Sequence, residues 1–270
     1  MKLTNIFSML GGLALFLYGM NMMSNGLELA AGNKMKTILE KLTSNRILGV
    51  LVGALVTAII QSSSATTVMV VGFVNSGLMS LTSAVWVIMG ANIGTTITGQ
   101  LIAIDITAIA PLIAFIGVAM IVFFKSKKLD AFGSVIGGLG ILFIGMETMS
   151  NAMVPLRTMP EFVGLISKFQ NPFIGILVGA LFTALIQSSS ASVGILQALA
   201  KSGVMTLSSS IYVLFGQNIG TCITSVLASI GTSKNAKRTT IIHLTFNIIG
   251  TVIFVSISML FPFAHLVESI

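Results

Sequence analysis

The sequence "TAIIQSSSAT" occupies Thr57–Thr66, and "TALIQSSSAS" occupies Thr183–Ser192. A glutamine followed by three serines therefore interrupts an apolar run twice, and the second copy begins 126 residues after the first. Polar side chains in a water-poor environment cost free energy unless they are hydrogen-bonded. Each copy therefore indicates either a structural break or a binding site, and the rest of the chain has to decide between them.

The composition is that of a membrane protein. The chain of 270 residues is 55% hydrophobic and only 8% charged, whereas about 25% charged residues are usual in soluble domains. The net charge of +7 does not indicate nucleic-acid binding, because the basic residues lie in short connections between apolar tracts, as in cytoplasmic loops. We predict an all-α polytopic protein of the cell inner (plasma) membrane. Its apolar tracts, each near the roughly 20 residues that cross a bilayer, are Ile6–Leu27, Leu81–Ile104, Thr107–Phe124, Phe132–Val154, Ile211–Ile230 and Thr239–Phe261.

The second half of the chain repeats the first. A shift of 126 residues aligns residues 11–104 with residues 137–230 without a gap, and 39 of the 94 aligned pairs are identical. The segment "GANIGTTIT" at Gly90–Thr98, for example, aligns with "GQNIGTCIT" at Gly216–Thr224. We therefore predict two repeats, at residues 1–130 and 131–270.

The apolar pieces beside each QSSS motif are too short to cross a bilayer. A helix over Ile47–Ile60 would be about 21 Å long, against a hydrocarbon core of about 30 Å. We predict a re-entrant hairpin at residues 47–76 and another at residues 173–202, each turning at QSSS near the middle of the membrane. Such broken backbone is tolerated only where it is buried in protein or lines a watery cavity. The alternative is one continuous crossing with serines in its middle.

The positions of the basic residues favour the hairpins. If each repeat has three crossings and one hairpin, the second repeat is inverted and both termini are extracytoplasmic. Ten basic residues then lie inside and four outside, against nine and five for continuous crossings. Inverted repeats that meet at broken helices are typical of secondary transporters. The inside set is Lys34, Lys36, Lys41, Arg46, Lys125, Lys127, Lys128, Lys234, Lys237 and Arg238, and the outside set is Lys2, Arg157, Lys168 and Lys201.

The chemistry of the polar motifs suits an oxyanion and a cation together. A helix that begins at each QSSS motif would point its free N–H groups and positive dipole end at an anion such as phosphate or a carboxylate. No lysine or arginine lies near either motif, so co-bound Na⁺ would balance the charge. The glycine in each NIGT motif suggests a break in the helix there. The Na⁺ ligands that we predict are Thr66, Asn92 and Thr95 in the first repeat and Ser192, Asn218 and Thr221 in the second.

The paired QSSSA and NIGT blocks resemble the type II sodium-dependent phosphate cotransporters, the bacterial Na/Pi cotransporter group and its animal relatives. The resemblance covers nearly the whole chain. It implies a Na⁺-coupled phosphate symporter working by alternating access, not an enzyme, with Na⁺ as the co-transported ion and no organic cofactor. It also implies that phosphate is bound by Gln61, Ser62, Ser63, Ser64, Gln187, Ser188, Ser189 and Ser190.

The sequence departs from this family in two places. Many bacterial members continue into a cytoplasmic domain similar to PhoU, whereas this sequence ends at Ile270, which indicates a short member or a truncated chain. The electrogenic animal members carry an aspartate close after the first QSSS, linked to an additional sodium, and here Ala65–Val68 contains no acid. The protein partners left open are a second copy of this chain and a separate PhoU-like protein.

Three other functions compete with phosphate symport. A sodium-coupled carrier of dicarboxylate or sulfate would use the same motifs, and only the resemblance favours phosphate over these anions. A passive anion channel also suits broken helices. An intramembrane hydrolase is disfavoured, because neither motif is accompanied by a His, Lys or Asp that could activate a serine nucleophile.

Overall fold

The computed structural model describes residues 3–31, 37–39, 45–104, 106–124, 126–261 and 263–268. Within these ranges all regular structure is helical, and five helices are long and apolar enough to cross a membrane. The predicted crossing at Thr107–Phe124 is observed as a shorter apolar helix, Thr107–Phe123. The prediction of an all-α polytopic membrane protein is confirmed.

The helices are named in chain order. The first repeat contains α1 (Leu3–Ala31), α2 (Arg46–Ile60), α3 (Ser63–Asn75), α4 (Leu81–Ala103) and α5 (Ala110–Phe123), with a 3₁₀ turn at Thr107–Ile109. The second contains α6 (Lys127–Met153), α7 (Pro160–Ser167), α8 (Pro172–Ile186), α9 (Ser189–Lys201), α10 (Leu207–Gly220), α11 (Ile223–Ala228), α12 (Lys234–Leu260) and α13 (Phe263–Glu268), with 3₁₀ turns at Val154–Thr158 and Lys168–Gln170. The predicted boundary between residues 130 and 131 falls in the first turn of α6.

Glycines bring α1 and α6 into backbone contact. A Cβ atom added to Gly12 would lie 2.8 Å from the carbonyl oxygen of Gly145, and one added to Gly19 would lie 2.6 Å from that of Gly138. The contacts move backward along α6 as they move forward along α1, so the two helices are antiparallel. Since Gly12 and Gly19 are the repeat counterparts of Gly138 and Gly145, equivalent helices of the two repeats face each other about a local two-fold axis.

The helices around each QSSS motif form a hairpin. A Cβ atom added to Gly53 would collide with the backbone of Val87, and one added to Gly94 would lie 2.5 Å from the carbonyl oxygen of Ala54, so α2 and α4 run parallel. Helix α3 returns the chain to the start of α4, and both ends of the α2–α3 pair therefore lie at the same end of α4. The second repeat has the same arrangement in α8, α9 and α10, where Gly179 contacts Val213 and Gly220 contacts Ala180.

Helices α4 and α10 run in opposite directions. The ammonium group of Lys201, just before α10, donates to the hydroxyl of Thr107, just after α4, at 2.9 Å. The N–H of Ser233, just after α11, donates to the side-chain oxygen of Asn75, just before α4, at 2.9 Å. Helix α10 thus begins where α4 ends. This arrangement supports inverted repeats, whose orientation in the membrane stays a prediction.

The predicted helix break at the NIGT motifs is wrong for the first motif. Helix α4 continues through Asn92–Thr95 without interruption, whereas α10 ends at Gly220 and the chain turns at Thr221–Cys222 before α11. The glycine of the first motif allows α2 to approach closely instead of breaking the helix, since a Cβ at residue 94 would press on the α2 backbone.

Candidate functional site

The two QSSS motifs share one backbone conformation. Gln61 and Gln187 both have φ of 59°, and they are the only residues other than glycine with positive φ in the described part of the chain. Each ends a helix by donating its N–H to the carbonyl four residues earlier, at 2.7 Å. The next residues, Ser62 and Ser188, cap α3 and α9 by accepting a backbone N–H at 3.2 Å. Strained backbone of this kind costs about 1–3 kcal/mol and clusters at functional sites.

The tips of the two hairpins touch. The hydroxyl oxygens of Ser63 and Ser189 are 3.3 Å apart, and the hydroxyl of Ser64 donates to the carbonyl of Gln187 at 3.4 Å. Because α3 and α9 begin at these serines, two helix N-termini converge, each with N–H groups that have no partner within the helix. Both positive dipole ends therefore point at one place, which favours an anion there.

A cavity of about 340 Å³ opens at this junction. Its wall combines the two hairpin tips with one face of α1, and apolar side chains such as Met20 and Ile60 complete it. The structure thus brings together all eight residues predicted for phosphate, which are Gln61, Ser62, Ser63, Ser64, Gln187, Ser188, Ser189 and Ser190.

Sequence reasoning missed the contribution of α1. Asn21, Ser24, Asn25 and Glu28 all line the cavity, and Glu28 carries the one charged side chain in its described lining. These positions follow the spacing i, i+3, i+4 and i+7, which places them on one helix face. That polar face at the end of an apolar helix is the signal that could have identified them.

The two glutamines differ in their surroundings. Gln61 is only 4% exposed, and its amide nitrogen donates to the carbonyl of Ala58. Its Oε1 atom has no partner among the described residues. Gln187 is exposed. The duplicated motif therefore has two environments, one with a buried glutamine and one with an exposed glutamine.

The hydroxyls predicted to bind Na⁺ lie outside the lining of this cavity. Thr66 and Ser192 are fully buried one turn behind the tips, and each donates to the carbonyl of a capping serine, at 3.1 and 3.0 Å. Thr95 and Thr221 donate to carbonyls four residues earlier, at 3.1 and 2.9 Å. Each hydroxyl oxygen still has at least one lone pair that could face a cation, although that of Thr66 also accepts a hydrogen bond at 3.0 Å.

The two predicted asparagine ligands are in different situations. The amide nitrogen of Asn92 donates to the side-chain oxygen of Asn247 on α12, at 2.7 Å. Its counterpart Asn218 is exposed. The six predicted ligands are therefore not gathered into one cluster around the cavity.

Two buried oxygens near Ser192 were not predicted. The hydroxyl of Thr183 and the Oε1 atom of Gln217 have no hydrogen-bond partner among the described residues, although these residues are 0% and 2% exposed. The amide nitrogen of Gln217 donates to the carbonyl of Ser192 at 3.1 Å. In the first repeat the counterpart of Thr183 pairs with Thr66 at 3.0 Å. Unpartnered buried oxygens are costly, and a hard cation would satisfy them.

The sequence model of the Na+/Pi-cotransporter family matches residues 15–151 and 158–266. The chain is 34% identical to the uncharacterized protein YqeW of Bacillus subtilis over 238 residues, which cover 87% of this chain and 76% of YqeW. It is 28% identical to YjbB of Escherichia coli K12, named as a candidate inorganic phosphate export protein, over 96% of this chain and 47% of YjbB.

A third relative is animal. The sodium-dependent phosphate transport protein 2A of Rattus norvegicus is 40% identical over 105 residues, which cover 38% of this chain and 16% of the rat protein. The chain thus spans about half the length of YjbB and a smaller share of the rat protein. No solved structure matches the chain.

Proposed function

The chain belongs to the Na+/Pi-cotransporter family, and on that premise we propose that it is a Na⁺-coupled symporter of inorganic phosphate that works by alternating access. The observation that carries this proposal is the contact of 3.3 Å between the hydroxyls of Ser63 and Ser189, which joins two helix N-termini at an open cavity.

Phosphate would bind at this junction without a basic residue. The donors are the free N–H groups of the first turns of α3 and α9, the serine hydroxyls and the exposed amide of Gln187. The cavity volume of about 340 Å³ leaves room for several water molecules beside a phosphate ion, so the anion would enter partly hydrated. A neutral donor set also allows release, since no salt bridge has to be broken.

Na⁺ would supply the missing positive charge. The cavity lining carries Glu28 and no described cation, so a phosphate dianion would be uncompensated without co-bound cations. Thr66 and Ser192 lie directly behind the tips, and the unpartnered oxygens of Thr183 and Gln217 lie in the same part of the second repeat. Each Na⁺ that moves inward gains about 2.3 kcal/mol per 100 mV of membrane potential.

We expect the full chain in proteoliposomes to take up labelled phosphate when an inward Na⁺ gradient is imposed, and to take up little when K⁺ replaces Na⁺. Excess unlabelled phosphate should compete, whereas sulfate and succinate should not. The measurement is the initial rate of uptake for each cation and each competitor.

Two results would contradict this proposal in different ways. Na⁺-driven uptake of sulfate or succinate in place of phosphate would keep the architecture and overturn the substrate. Phosphate flux that is equal in Na⁺ and K⁺ would indicate a passive channel.

The asymmetry between the hairpins supports alternating access. The ring of Phe16 on α1 packs against Gly194 on α9, and the hydroxyl of Ser150 on α6 donates to the carbonyl of Ala198 at 2.9 Å. The first repeat lacks both contacts. Val68, the counterpart of Gly194, is 40% exposed, and Ser24, the counterpart of Ser150, lines the cavity. The second hairpin thus closes one side, and the first leaves the other side open.

An exchange of these contacts between the repeats would produce the opposite state. The α1 residues that line the cavity lie in its C-terminal half, from Met20 to Glu28. The predicted topology places that end of α1 in the cytoplasm, so we assign the structure to an inward-open state. In the outward-open state Ser24 would donate to the carbonyl of Gly72, the counterpart of Ala198, and the contact between Ser150 and Ala198 would be broken.

We expect Gly194→Val to shift the protein toward the outward-open state, because the added side chain would collide with Phe16. Single cysteines introduced by Ser24→Cys or Ser150→Cys would report the shift through maleimide labelling. Labelling at position 24 should fall and labelling at position 150 should rise several-fold. The native Cys222 is 1% exposed and adds little background.

Gly250→Val on α12 is the matched control, because a Cβ atom there meets nothing within 4 Å and the residue takes no part in the exchanged contacts. It should leave both labelling rates close to those of the parent. Equal effects of the two valines, or no effect of Gly194→Val, would contradict the assignment of this contact as a gate.

A further inference from the structure

A chain of side-chain hydrogen bonds connects the two NIGT motifs through α12. The amide nitrogen of Asn92, in the first motif, donates to the side-chain oxygen of Asn247 at 2.7 Å. The amide nitrogen of Asn247 donates in turn to the sulfur of Cys222 at 3.0 Å. Cys222 directly follows the second motif, at the turn between α10 and α11. The side chain of Asn247 is therefore hydrogen-bonded both to the first motif and to the residue that follows the second.

This bridge is not part of the duplicated pattern. Helix α5, which follows α4 in the first repeat, contains no asparagine that could make these bonds. Asn247 is 5% exposed and Cys222 is 1% exposed. A buried asparagine in a membrane helix is costly unless its amide is satisfied, and here both ends of the amide are used.

The bonds fix the orientation of the Asn92 amide. Because its nitrogen is held by Asn247, the oxygen is the end of the Asn92 amide that is left for a cation, and no described donor occupies it. An amide presents either an oxygen, which attracts a cation, or an NH₂ group, which repels it. Cys222 holds the other end of the Asn247 amide and so helps to keep the Asn247 side chain in place.

We propose that Asn247 is a positioning residue for Na⁺, holding the Asn92 side chain so that its oxygen faces the cation. The inference rests on the proposed function, in which Asn92 is a Na⁺ ligand. Asn247 does not touch the ion and acts only through Asn92. Groups that orient the ligands of a metal ion commonly contribute about 10–100-fold to its affinity.

The test is Na⁺ binding to the purified chain, measured as the rise in thermal unfolding midpoint when NaCl replaces choline chloride. A ligand that binds only the folded state raises this midpoint. We expect the parent to be stabilised by Na⁺, Asn92→Ala to lose the stabilisation, and Asn247→Leu to need about tenfold more Na⁺ for the same rise. Cys222→Ser, which keeps a hydrogen-bonding group, should retain more of the response than Cys222→Ala.

Thr251→Val is the matched control for α12. Thr251 lies one turn beyond Asn247, is 7% exposed and donates to the carbonyl of Phe215 at 3.2 Å. Its hydroxyl makes no hydrogen bond to the described residues of either NIGT motif. A merely structural role for Asn247 predicts that both variants lower the midpoint in choline and leave the Na⁺ response intact. Our proposal predicts that only Asn247→Leu weakens the Na⁺ response.

The outcomes separate this inference from the proposed function. A loss of the Na⁺ response in Asn92→Ala but not in Asn247→Leu overturns the positioning role and leaves Na⁺ coupling standing. A parent with no Na⁺ response overturns both the positioning role and the sodium site. A Na⁺ response with the expected pattern of variants, in a chain that transports no phosphate, supports the positioning role and overturns phosphate symport.

Discussion

Replacement of both Gln61 and Gln187 by glycine is expected to abolish phosphate uptake while the protein still folds. Both residues adopt φ of 59°, a conformation that glycine adopts without steric cost. The substitution therefore keeps the turn between the hairpin helices and removes only the two amides. Initial uptake rates in proteoliposomes should fall to the level of empty liposomes.

The control for this pair is a double substitution that keeps an amide at both tips. Asparagine enters the left-handed region more readily than most residues and is shorter than glutamine by one methylene. Gln61→Asn with Gln187→Asn should fold equally well and keep part of the activity. If the double glycine variant transports like the parent, the two amides are not part of the phosphate site.

Gly12→Val is expected to prevent stable folding, because the contact between α1 and α6 has no room for a side chain. A Cβ at residue 12 would lie 2.5 Å from the backbone nitrogen of Met149 and 2.8 Å from the carbonyl oxygen of Gly145. Both atoms belong to the backbone of α6, so the helices must separate. Overpacking of this kind costs about 1–3 kcal/mol and occasionally more, and we expect the upper end. Thermal unfolding in detergent, with the yield of monodisperse protein, measures the loss.

The neighbouring residue supplies the control. Gly11 is exposed, and a Cβ there meets nothing within 4 Å. Gly11→Val makes the same change in helix propensity and hydrophobicity, but its thermal unfolding midpoint should lie within a few degrees of that of the parent. A similar fall in the unfolding midpoint of both variants would mean that the close approach of α1 and α6 does not determine the stability of the protein.

The hairpins show how far local sequence reaches. Each turn between the hairpin helices depends on local sequence, namely an apolar run, Gln in the left-handed conformation, and Ser as the cap of the next helix. The re-entrant hairpins at residues 47–76 and 173–202 stay a prediction. The NIGT motifs show the limit. The sequence Asn-Ile-Gly-Thr lies inside a continuous helix at Asn92–Thr95, whereas at its second copy helix α10 ends at Gly220. The local sequence therefore does not determine whether the helix breaks.

The sequence by itself determined the membrane class, the duplication and the phosphate-site candidates, since these follow from composition, from register over a long alignment and from short local motifs. Only the tertiary structure decided that Ser63 meets Ser189, that one face of α1 lines the cavity, and that Asn92 is held by Asn247. Each depends on residues distant in sequence but close in space. It also decided that the second hairpin, and not the first, packs against Phe16 and Ser150, because equivalent residues of the two repeats have different surroundings.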